Sequence, residues 1–190
     1  MSARSIVRLA SVLACAGSLA AGLGACGQKS YPNAADANNV GGYVQAGPIT
    51  YQLQISRELN PYSIEDSGYL KGVTAPAPGP NEEWYGVFLW AKNQTHHAAT
   101  TTDSFDITDT QGNVYYPVPI NAQLNPYAWT PQVLEPLATQ PTPGSTAYSG
   151  ATGGQLVLFK INISAYANRP LTLQIRAPGE ARLSTITLDL

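Results

Sequence analysis

Hydrophobic and polar residues alternate with a period of two through much of the chain after residue 48. In Ile49–Ile55 the odd-numbered residues are apolar or aromatic and the even-numbered residues are polar. Such alternation places successive side chains on opposite faces of a β-strand. We therefore predict a strand here and in four more segments with the same pattern, at residues 104–108, 157–163, 171–176 and 185–190.

Segment Trp84–Asn93 is apolar on both faces, which predicts a central strand. One face has to line the core between two sheets, while the other face is either covered by a loop or exposed. The face predicted to line the core carries Tyr85, Val87, Leu89 and Ala91, and the other carries Trp84, Phe88 and Trp90 around Gly86.

Two long segments without alternation, Tyr62–Glu83 and Asn121–Thr152, interrupt the predicted strands. Loops of this length are uncommon in a compact domain and are often functional. The second includes a short edge strand at Gln132–Leu137 and carries Tyr127 and Trp129. We expect these two aromatic side chains to cover the aromatic face, with any ligand site at the rim near the first segment. If the face is instead exposed, it is a binding platform for glycan rings or for a protein.

Half-polar strands joined by turns indicate antiparallel sheets that each bury one face. Seven or so strands over residues 49–190 predict an all-β, immunoglobulin-like sandwich with two loop insertions. On the strand at 104–108, Phe105 and Ile107 should point inward and Asp106 outward. Phe105→Ala should then cost roughly 3–5 kcal/mol, and Asp106→Ala should stay within about 0.5 kcal/mol.

The N-terminus has the composition of a secretory signal peptide over residues 1–25. Arg4 and Arg8 are followed by a run without charge that extends to Leu23. The run is also about long enough to span a membrane, so a retained anchor is the alternative. The run ends in a segment that resembles the bacterial lipobox, whose cysteine is acylated and becomes the new N-terminus: Leu23, Gly24, Ala25 and Cys26. The resemblance implies an acylated lipoprotein anchored to the cell membrane, facing the extracellular or periplasmic side.

Residues 26–48 contain few apolar side chains and many Asn, Ala and Gly. Such a segment buries too little surface to offset its ordering entropy. We interpret it as a flexible tether that begins at the lipidated cysteine, and the alternative is an ordered N-terminal arm.

Charge and cysteine content narrow the function classes. Without Arg4 and Arg8, the chain has eight basic and twelve acidic side chains, so it lacks the excess of positive charge that binds nucleic acid. Only Cys15 and Cys26 are present, so the domain after residue 26 has neither a thiol nor a disulfide.

Candidate metal and catalytic groups are sparse. His96 and His97 are adjacent, so on a strand they would diverge, and we expect an exposed loop. Asp103, Asp106 and Asp109 lack the spacing of a calcium loop, which favours a turn with a solvated face. The chain has no zinc-protease motif, nucleophile elbow or phosphate loop. We expect no metal, no cofactor and no enzymatic activity.

The run from Trp84 to Val118 resembles the core of DUF4352-type, immunoglobulin-like lipoprotein domains of bacteria, in which a long strand ends in Asn and a hairpin motif follows. The matching residues are Asn93, Phe105, Ile107, Asp109, Gly112 and Tyr115. The resemblance implies a sandwich fold and an envelope protein without naming a ligand. We expect a non-catalytic binding protein whose partner is an envelope glycan or protein. A structural or immunogenic lipoprotein without a dedicated ligand is the second hypothesis.

Overall fold

The structure is a computed structural model that describes residues 36–37 and 42–188. The predicted signal peptide and lipobox, with Cys26, lie outside these residues.

The described residues contain twelve strands, and the six segments that hydrophobic patterning predicts as strands are among them. Their bounds are β1 Asp36–Ala37, β2 Tyr43–Ala46, β3 Ile49–Leu59, β4 Glu82–Asn93, β5 Ala99–Thr100, β6 Phe105–Thr108, β7 Val114–Tyr115, β8 Val133–Leu134, β9 Thr139–Gln140, β10 Gln155–Asn162, β11 Leu171–Arg176 and β12 Leu183–Leu188. Helical structure is limited to α1 Ile64–Tyr69, α2 Thr146–Ser149 and a 3-10 helix at Ile163–Ala167 among the described residues.

The strands form two sheets that pack face to face. Sheet I has the order β1-β12-β11-β6-β7, and sheet II has the order β10-β4-β3-β2 with β9 beside β4. Neighbouring strands are antiparallel except β1 and β12, which are parallel. Strands β5 and β8 form a separate two-stranded ribbon. The prediction of an immunoglobulin-like antiparallel sandwich is confirmed, and the two predicted insertions connect β3 to β4 and β7 to β10.

The inner faces of the two sheets enclose the main hydrophobic core. Sheet II contributes alternate residues of β4, as predicted, and Tyr51 of β3. Sheet I contributes Phe105 and Ile107 of β6, also as predicted. The Phe105 ring meets the Tyr51 ring edge-on, with 6.3 Å between their centres. Aromatic rings therefore bridge the sheets at this level.

Strand β3 changes the face of its apolar residues halfway along. Ile49, Tyr51 and Leu53 point into the main core, but Ile55 packs on the opposite side of sheet II. The pairing with β4 shifts register between Leu53 and Ile55, which is a β-bulge. One extra residue in a strand reverses the alternation beyond it. The prediction that Ile55 shares a face with Ile49 is therefore wrong.

Asp106 is buried, which corrects its prediction as a solvated residue. Its side chain points away from the main core, but the Arg176 guanidinium of β11 folds over it and pairs with its Oδ2. Gln174 lies directly across from Asp106 and accepts a hydrogen bond from Arg176. Because the long side chain of Arg176 excludes water, the small effect predicted for Asp106→Ala no longer follows.

The sandwich begins before Ile49, which corrects the boundary predicted for the tether. Val44 and Ala46 of β2 are buried in the main core, because β2 pairs with β3 and alternates inward and outward. Asp36 and Ala37 pair with β12. The remaining residues of the predicted tether, apart from residues 42–48, lie outside the described chain.

The sandwich has two distinct ends. At the hairpin end lie the β2–β3 turn with Gly47, the β11–β12 turn with Gly179, and the end of β4 at Asn93. The two turns touch, since a Cβ at Gly47 would come within 3.0 Å of the Cβ of Ala177. At the far end lie the end of β3 and the start of β4, which pair through Leu59 and Trp84.

Candidate functional site

The outer face of sheet II carries a second hydrophobic layer, which contains the aromatic side chains singled out in the sequence. We call it the outer layer. Its buried members are Leu59, Tyr69, Trp84, Phe88, Leu156 and Leu158. Partly buried side chains of both insertions pack around it, among them Val73 and Tyr127, and Ile120 joins them from just before the second insertion. Trp84 and Phe88 are thus covered, as the sequence predicted for this face.

Gly86 allows the outer layer to pack closely against β4. A Cβ at this position would lie 2.9 Å from Leu59 Cδ1 and 3.1 Å from Leu156 Cδ1. A glycine within a strand often marks such a close approach. The gap between Trp84 and Phe88 is therefore filled by leucines from the two neighbouring strands.

The first insertion is attached to the end of β3 by an ion pair. Arg57 of β3 contacts the Asp66 carboxylate of α1 at 2.6 Å, and the Asn60 amide donates to the same carboxylate at 2.9 Å. Burial alone would raise the pKa of Asp66, but these partners outweigh it and hold that pKa below its usual value. Helix α1 then presents Tyr69, whose ring meets Phe88 edge-on at 4.9 Å between ring centres.

The second insertion is fastened to the first through the buried side chain of Asn125. Its Nδ2 donates to the backbone oxygens of Tyr69 at 2.7 Å and Lys71 at 2.9 Å, while its Oδ1 accepts from the Tyr127 amide at 2.9 Å. The rings of Tyr127 and Tyr69 make a T-shaped contact, with 4.7 Å between their centres. Both insertions together, rather than the second alone, cover the aromatic face.

The second insertion also covers the outer edge of β10. The backbone oxygen of Tyr127 accepts a hydrogen bond from the Leu156 amide at 2.6 Å, and the Trp129 amide donates to the backbone oxygen of Leu156 at 2.8 Å. The Val118 amide donates to the Leu158 oxygen at 2.7 Å. An uncovered strand edge can pair with a strand of another chain. These hydrogen bonds occupy backbone groups on the edge of β10 and so prevent such pairing there.

Trp129 does not take part in covering the aromatic face, which corrects its prediction. It packs against the main core instead, 5.5 Å from the Phe105 ring centre and 6.0 Å from that of Tyr51. Its indole Nε1 donates to the Thr102 oxygen at 2.8 Å. Trp90 is half-buried on the outer face, opposite Gln52 of β3. As they stand, Trp84, Phe88, Trp90, Tyr127 and Trp129 do not form one open binding surface.

The rim of the outer layer carries the most exposed large apolar side chains. Tyr62 and Ile64, at the start of the first insertion, are 94% and 95% exposed. The turn that carries them is ordered by hydrogen bonds, since Asn60 Oδ1 accepts from the Tyr62 amide and the Asn60 oxygen accepts from the Ser63 amide. We call this feature the insertion tip. It lies at the far end of the sandwich, directly after β3.

The loop after β4 is organised by Asn93, which is fully buried. Its Nδ2 contacts the backbone oxygens of His97 at 2.7 Å, Leu134 at 2.9 Å and Glu135 at 3.3 Å. Its Oδ1 accepts from both the amide and the hydroxyl of Thr95. The side chains of His96 and His97 are exposed, as predicted. The buried side-chain amide of Asn93 therefore holds the shape of this loop.

Asp109 builds the β6–β7 turn, as the hairpin motif predicts. Its Oδ1 accepts from the amides of Gln111 and Asn113, and its Oδ2 accepts from Nδ2 of Asn113 and of Asn168. Burial alone would raise the pKa of Asp109, but these hydrogen bonds lower it below its usual value. Gly112 has a φ of 83°, which glycine adopts without strain. Asp103 is exposed, so the three aspartates take different roles.

A cluster of ionisable groups lies at the far end of the main core. Burial raises the pKa of Glu83, while the neighbouring Tyr166 hydroxyl lowers it in part. The pKa of Tyr166 is raised by burial and by this carboxylate. The Arg169 guanidinium stands 5.0 Å from the centre of the Tyr166 ring. Over residues 36–37 and 42–188, however, no group of three or more His, Cys, Asp or Glu side chains is arranged to hold a metal ion.

Two residues that hold the outer layer together, Tyr69 and Asn125, escaped the sequence analysis. Tyr69 and Asn125 lie in segments without alternation, so no period pointed to them. One local signal was present, because Ser63 followed by Asp66 has the spacing of a helix start. Ser63 does occupy the N-cap of α1, although its side chain makes no capping hydrogen bond. Among residues 36–37 and 42–188, no helical segment has the length and hydropathy of a membrane-spanning helix.

No family model and no curated protein matches the chain. Three solved structures resemble it in fold. The yjhA protein of Bacillus subtilis has a TM-score of 0.48 and 10% identity over 80% of this chain and 99% of its own. The candidate lipoprotein ycdA of the same organism has a TM-score of 0.49 and 7% identity over 77% of this chain and 38% of its own.

The third is an uncharacterized β-sandwich protein from Clostridium difficile, with a TM-score of 0.44 and 10% identity over 80% of this chain and 95% of its own. At these identities the likeness concerns the fold alone and names no ligand.

Proposed function

We propose that the chain is a lipid-anchored, non-catalytic binding protein of the bacterial cell envelope, with a domain of the DUF4352 type. Its anchor is an acylated Cys26 after removal of residues 1–25. Its partner is an envelope protein or glycan that contacts the insertion tip. It needs neither a cofactor nor a metal for this role, and it does not bind nucleic acid.

The observation that carries the binding role is the exposure of Tyr62 and Ile64. Two neighbouring large apolar side chains in water are unfavourable for the isolated domain. The turn beneath them is fixed by Asn60 and by the Arg57–Asp66 ion pair, so they do not fold back onto the outer layer. Exposed apolar groups on a preorganised turn are typical of contact sites, because little ordering entropy is lost on binding.

The family proposal is supported by the roles of the motif residues. Asn93 closes the loop after β4, and Asp109 with Gly112 forms the turn that follows β6. Phe105 and Ile107 fill the main core, while Tyr115 of β7 packs against it. Each matching residue thus serves the fold, which explains why the motif resembles a fold family and carries no catalytic group.

The anchor is tested by Cys26→Ser. We expect mass spectrometry to find acyl chains on the mature wild-type chain and none on the variant. Two acyl chains hold a protein on a membrane stably, at about 0.8 kcal/mol for each buried methylene. The variant should therefore leave the detergent phase, and a variant that still carries lipid would contradict the lipobox interpretation.

The binding role is tested by the double variant Tyr62→Ser, Ile64→Ser. Wild-type and variant chains would be crosslinked in intact envelopes, and the captured proteins and glycans identified for both. We expect the variant to lose the specific partner while its urea midpoint stays unchanged, since neither side chain is packed. Loss of more than about 1–2 kcal/mol on binding is typical for a central contact residue.

The matched control is Tyr116→Ser, because Tyr116 is another exposed tyrosine, located after β7. It should leave capture unchanged. An identical set of captured molecules from all three chains would favour the second hypothesis, a structural or immunogenic envelope lipoprotein without a dedicated ligand.

A further inference from the structure

Two aliphatic side chains are exposed at the hairpin end, opposite the insertion tip. Val133 is 63% exposed and Leu137 is 67% exposed, while Leu134 between them is buried in the main core. Their position is fixed by the end of β4, because the Leu137 amide donates to the Asn93 oxygen at 2.9 Å. Strand β8, which contains Val133, pairs with β5. We call these two residues the aliphatic tip.

The backbone of Leu137 has a conformation that leucine rarely adopts. Residues Glu135 to Ala138 form a turn closed by the Ala138 amide and the Glu135 oxygen at 3.0 Å. Pro136 is its second residue, and Leu137, its third, has a φ of 64°. Such a type II turn normally has glycine at the third position, because a Cβ is strained there. Packing in the fold gives no reason for leucine at 137, since its side chain faces water.

The course of β1 indicates what the aliphatic tip faces. Strand β12 runs from Leu183 at the hairpin end toward Leu188 at the far end, and β1 runs parallel to it. The chain therefore enters β1 from the direction of the hairpin end. Nine residues lie between Cys26 and Asp36, and the ten Cα–Cα steps that join the two span at most about 36 Å. A lipid at Cys26 thus keeps Asp36, which the chain enters from the hairpin end, within that reach of the membrane.

We infer that Val133 and Leu137 dip into the interface of the bilayer that holds Cys26, so that the domain stands on its hairpin end. This inference rests on the proposed lipid anchor. Two aliphatic side chains alone would bind a membrane weakly from solution. A tether converts their contact into an intramolecular one with a high effective concentration. The insertion tip with Tyr62 and Ile64 then points away from the membrane, toward partners.

The charges around the aliphatic tip indicate which lipid suits it. Exposed neighbours at this end include both signs, with Glu135 and Glu180 acidic and Arg182 basic. His96 and His97 are exposed in the adjacent loop. A surface of mixed sign gains little from anionic head groups. Vesicles of phosphatidylcholine are therefore a sufficient probe.

The experiment uses the acylated mature chain, in which the only native cysteine is Cys26 and its thiol is consumed by the lipid. A single new cysteine at Val133→Cys is labelled with an environment-sensitive dye, and the chain is reconstituted in phosphatidylcholine vesicles that contain nitroxide-labelled acyl chains. The same label at Ile64→Cys reports on the far end. We expect strong quenching at 133 and several-fold weaker quenching at 64.

Leu137→Gly separates membrane contact from stability. Glycine fits a φ of 64° without strain, so the urea midpoint should stay equal or rise. Quenching of the label at 133 should nevertheless fall several-fold, because Leu137 is the one native side chain of the aliphatic tip that the labelled chain retains. The matched control is Leu124→Gly, which removes an exposed leucine of the same insertion near Gly72. It should leave quenching at 133 unchanged.

The outcomes distinguish the contact from the anchor. If mass spectrometry finds Cys26 acylated but labels at 133 and 64 are quenched equally or not at all, the membrane contact is overturned and the anchor stands. If Leu137→Gly leaves quenching intact, the contact is also overturned. If Cys26 carries no acyl chain, the proposed anchor and the inference fail together.

Discussion

Phe105→Ala is expected to lower the free energy of unfolding by roughly 3–5 kcal/mol, the usual cost of removing a buried aromatic ring. The ring belongs to the main core and contacts side chains from three parts of the chain. Tyr51 comes from β3, Trp129 from the second insertion and Ile175 from the neighbouring strand β11. Alanine would leave a cavity between the sheets, lined by rings that the rigid strands keep apart. Urea denaturation followed by circular dichroism measures the loss.

The control for Phe105→Ala is Tyr116→Ala, which removes an exposed ring and should change stability by no more than about 0.5 kcal/mol. Trp129 provides a second readout, because its indole lies 5.5 Å from the Phe105 ring centre. Its emission should shift in the variant but not in the control. A loss below about 1 kcal/mol would mean that the core collapses around the missing ring or that Phe105 does not bridge the sheets.

The strands could be predicted because alternation directly reflects a sheet with one buried face. Strand β3 shows where this reasoning ends. One bulged residue after Leu53 turns Ile55 to the other face, and nothing in the alternation of Ile49–Ile55 signals it. Asp106 illustrates another limit. Its burial depends on an arginine seventy residues away that folds over it, which a local pattern cannot report.

The insertions were recognised as insertions, but their contacts could not be predicted. Strands β8 and β9 contain two residues each, too few to show a period. Tyr127 and Trp129 are only two residues apart, yet Tyr127 packs in the outer layer and Trp129 packs against the main core on the other side of sheet II. The exposure of Tyr62 and Ile64 contradicts their hydrophobicity, so only the structure could reveal it. Surfaces used for binding are where composition and burial are expected to disagree.

Asn93→Asp is expected to lower the free energy of unfolding at pH 7 by about 3 kcal/mol or more. The substitution buries a negative charge and removes the amide group that donates hydrogen bonds to the loop. The amide Nδ2 faces the backbone oxygens of His97 and Leu134 at 2.7 and 2.9 Å. A carboxylate oxygen in its place would meet acceptors only, and it lies where water cannot reach. The substitution keeps the size of the side chain, so the loss measures hydrogen bonding and charge and not a cavity.

The pH dependence of this loss identifies its cause. Burial and facing oxygens would raise the folded-state pKa of the new carboxyl above its unfolded value of about 3.9. Its cost is therefore fully present above the folded-state pKa and declines as the pH falls through it, since a protonated acid can donate again. Asp66 and Asp109 have lowered pKa values, so acid destabilises the wild type and the variant alike through these two groups. The quantity to compare is therefore the difference in the free energy of unfolding between variant and wild type.

The matched control is Gln94→Glu, which adds the same charge at the exposed neighbouring residue. It should show neither the loss of stability nor its recovery in acid. A loss of stability for Asn93→Asp that stays constant between pH 7 and pH 4 would show that the hydrogen bonds of the Asn93 side-chain amide do not hold the loop. The loop would then be held by its backbone bonds, such as the one from the Leu137 amide to the Asn93 oxygen.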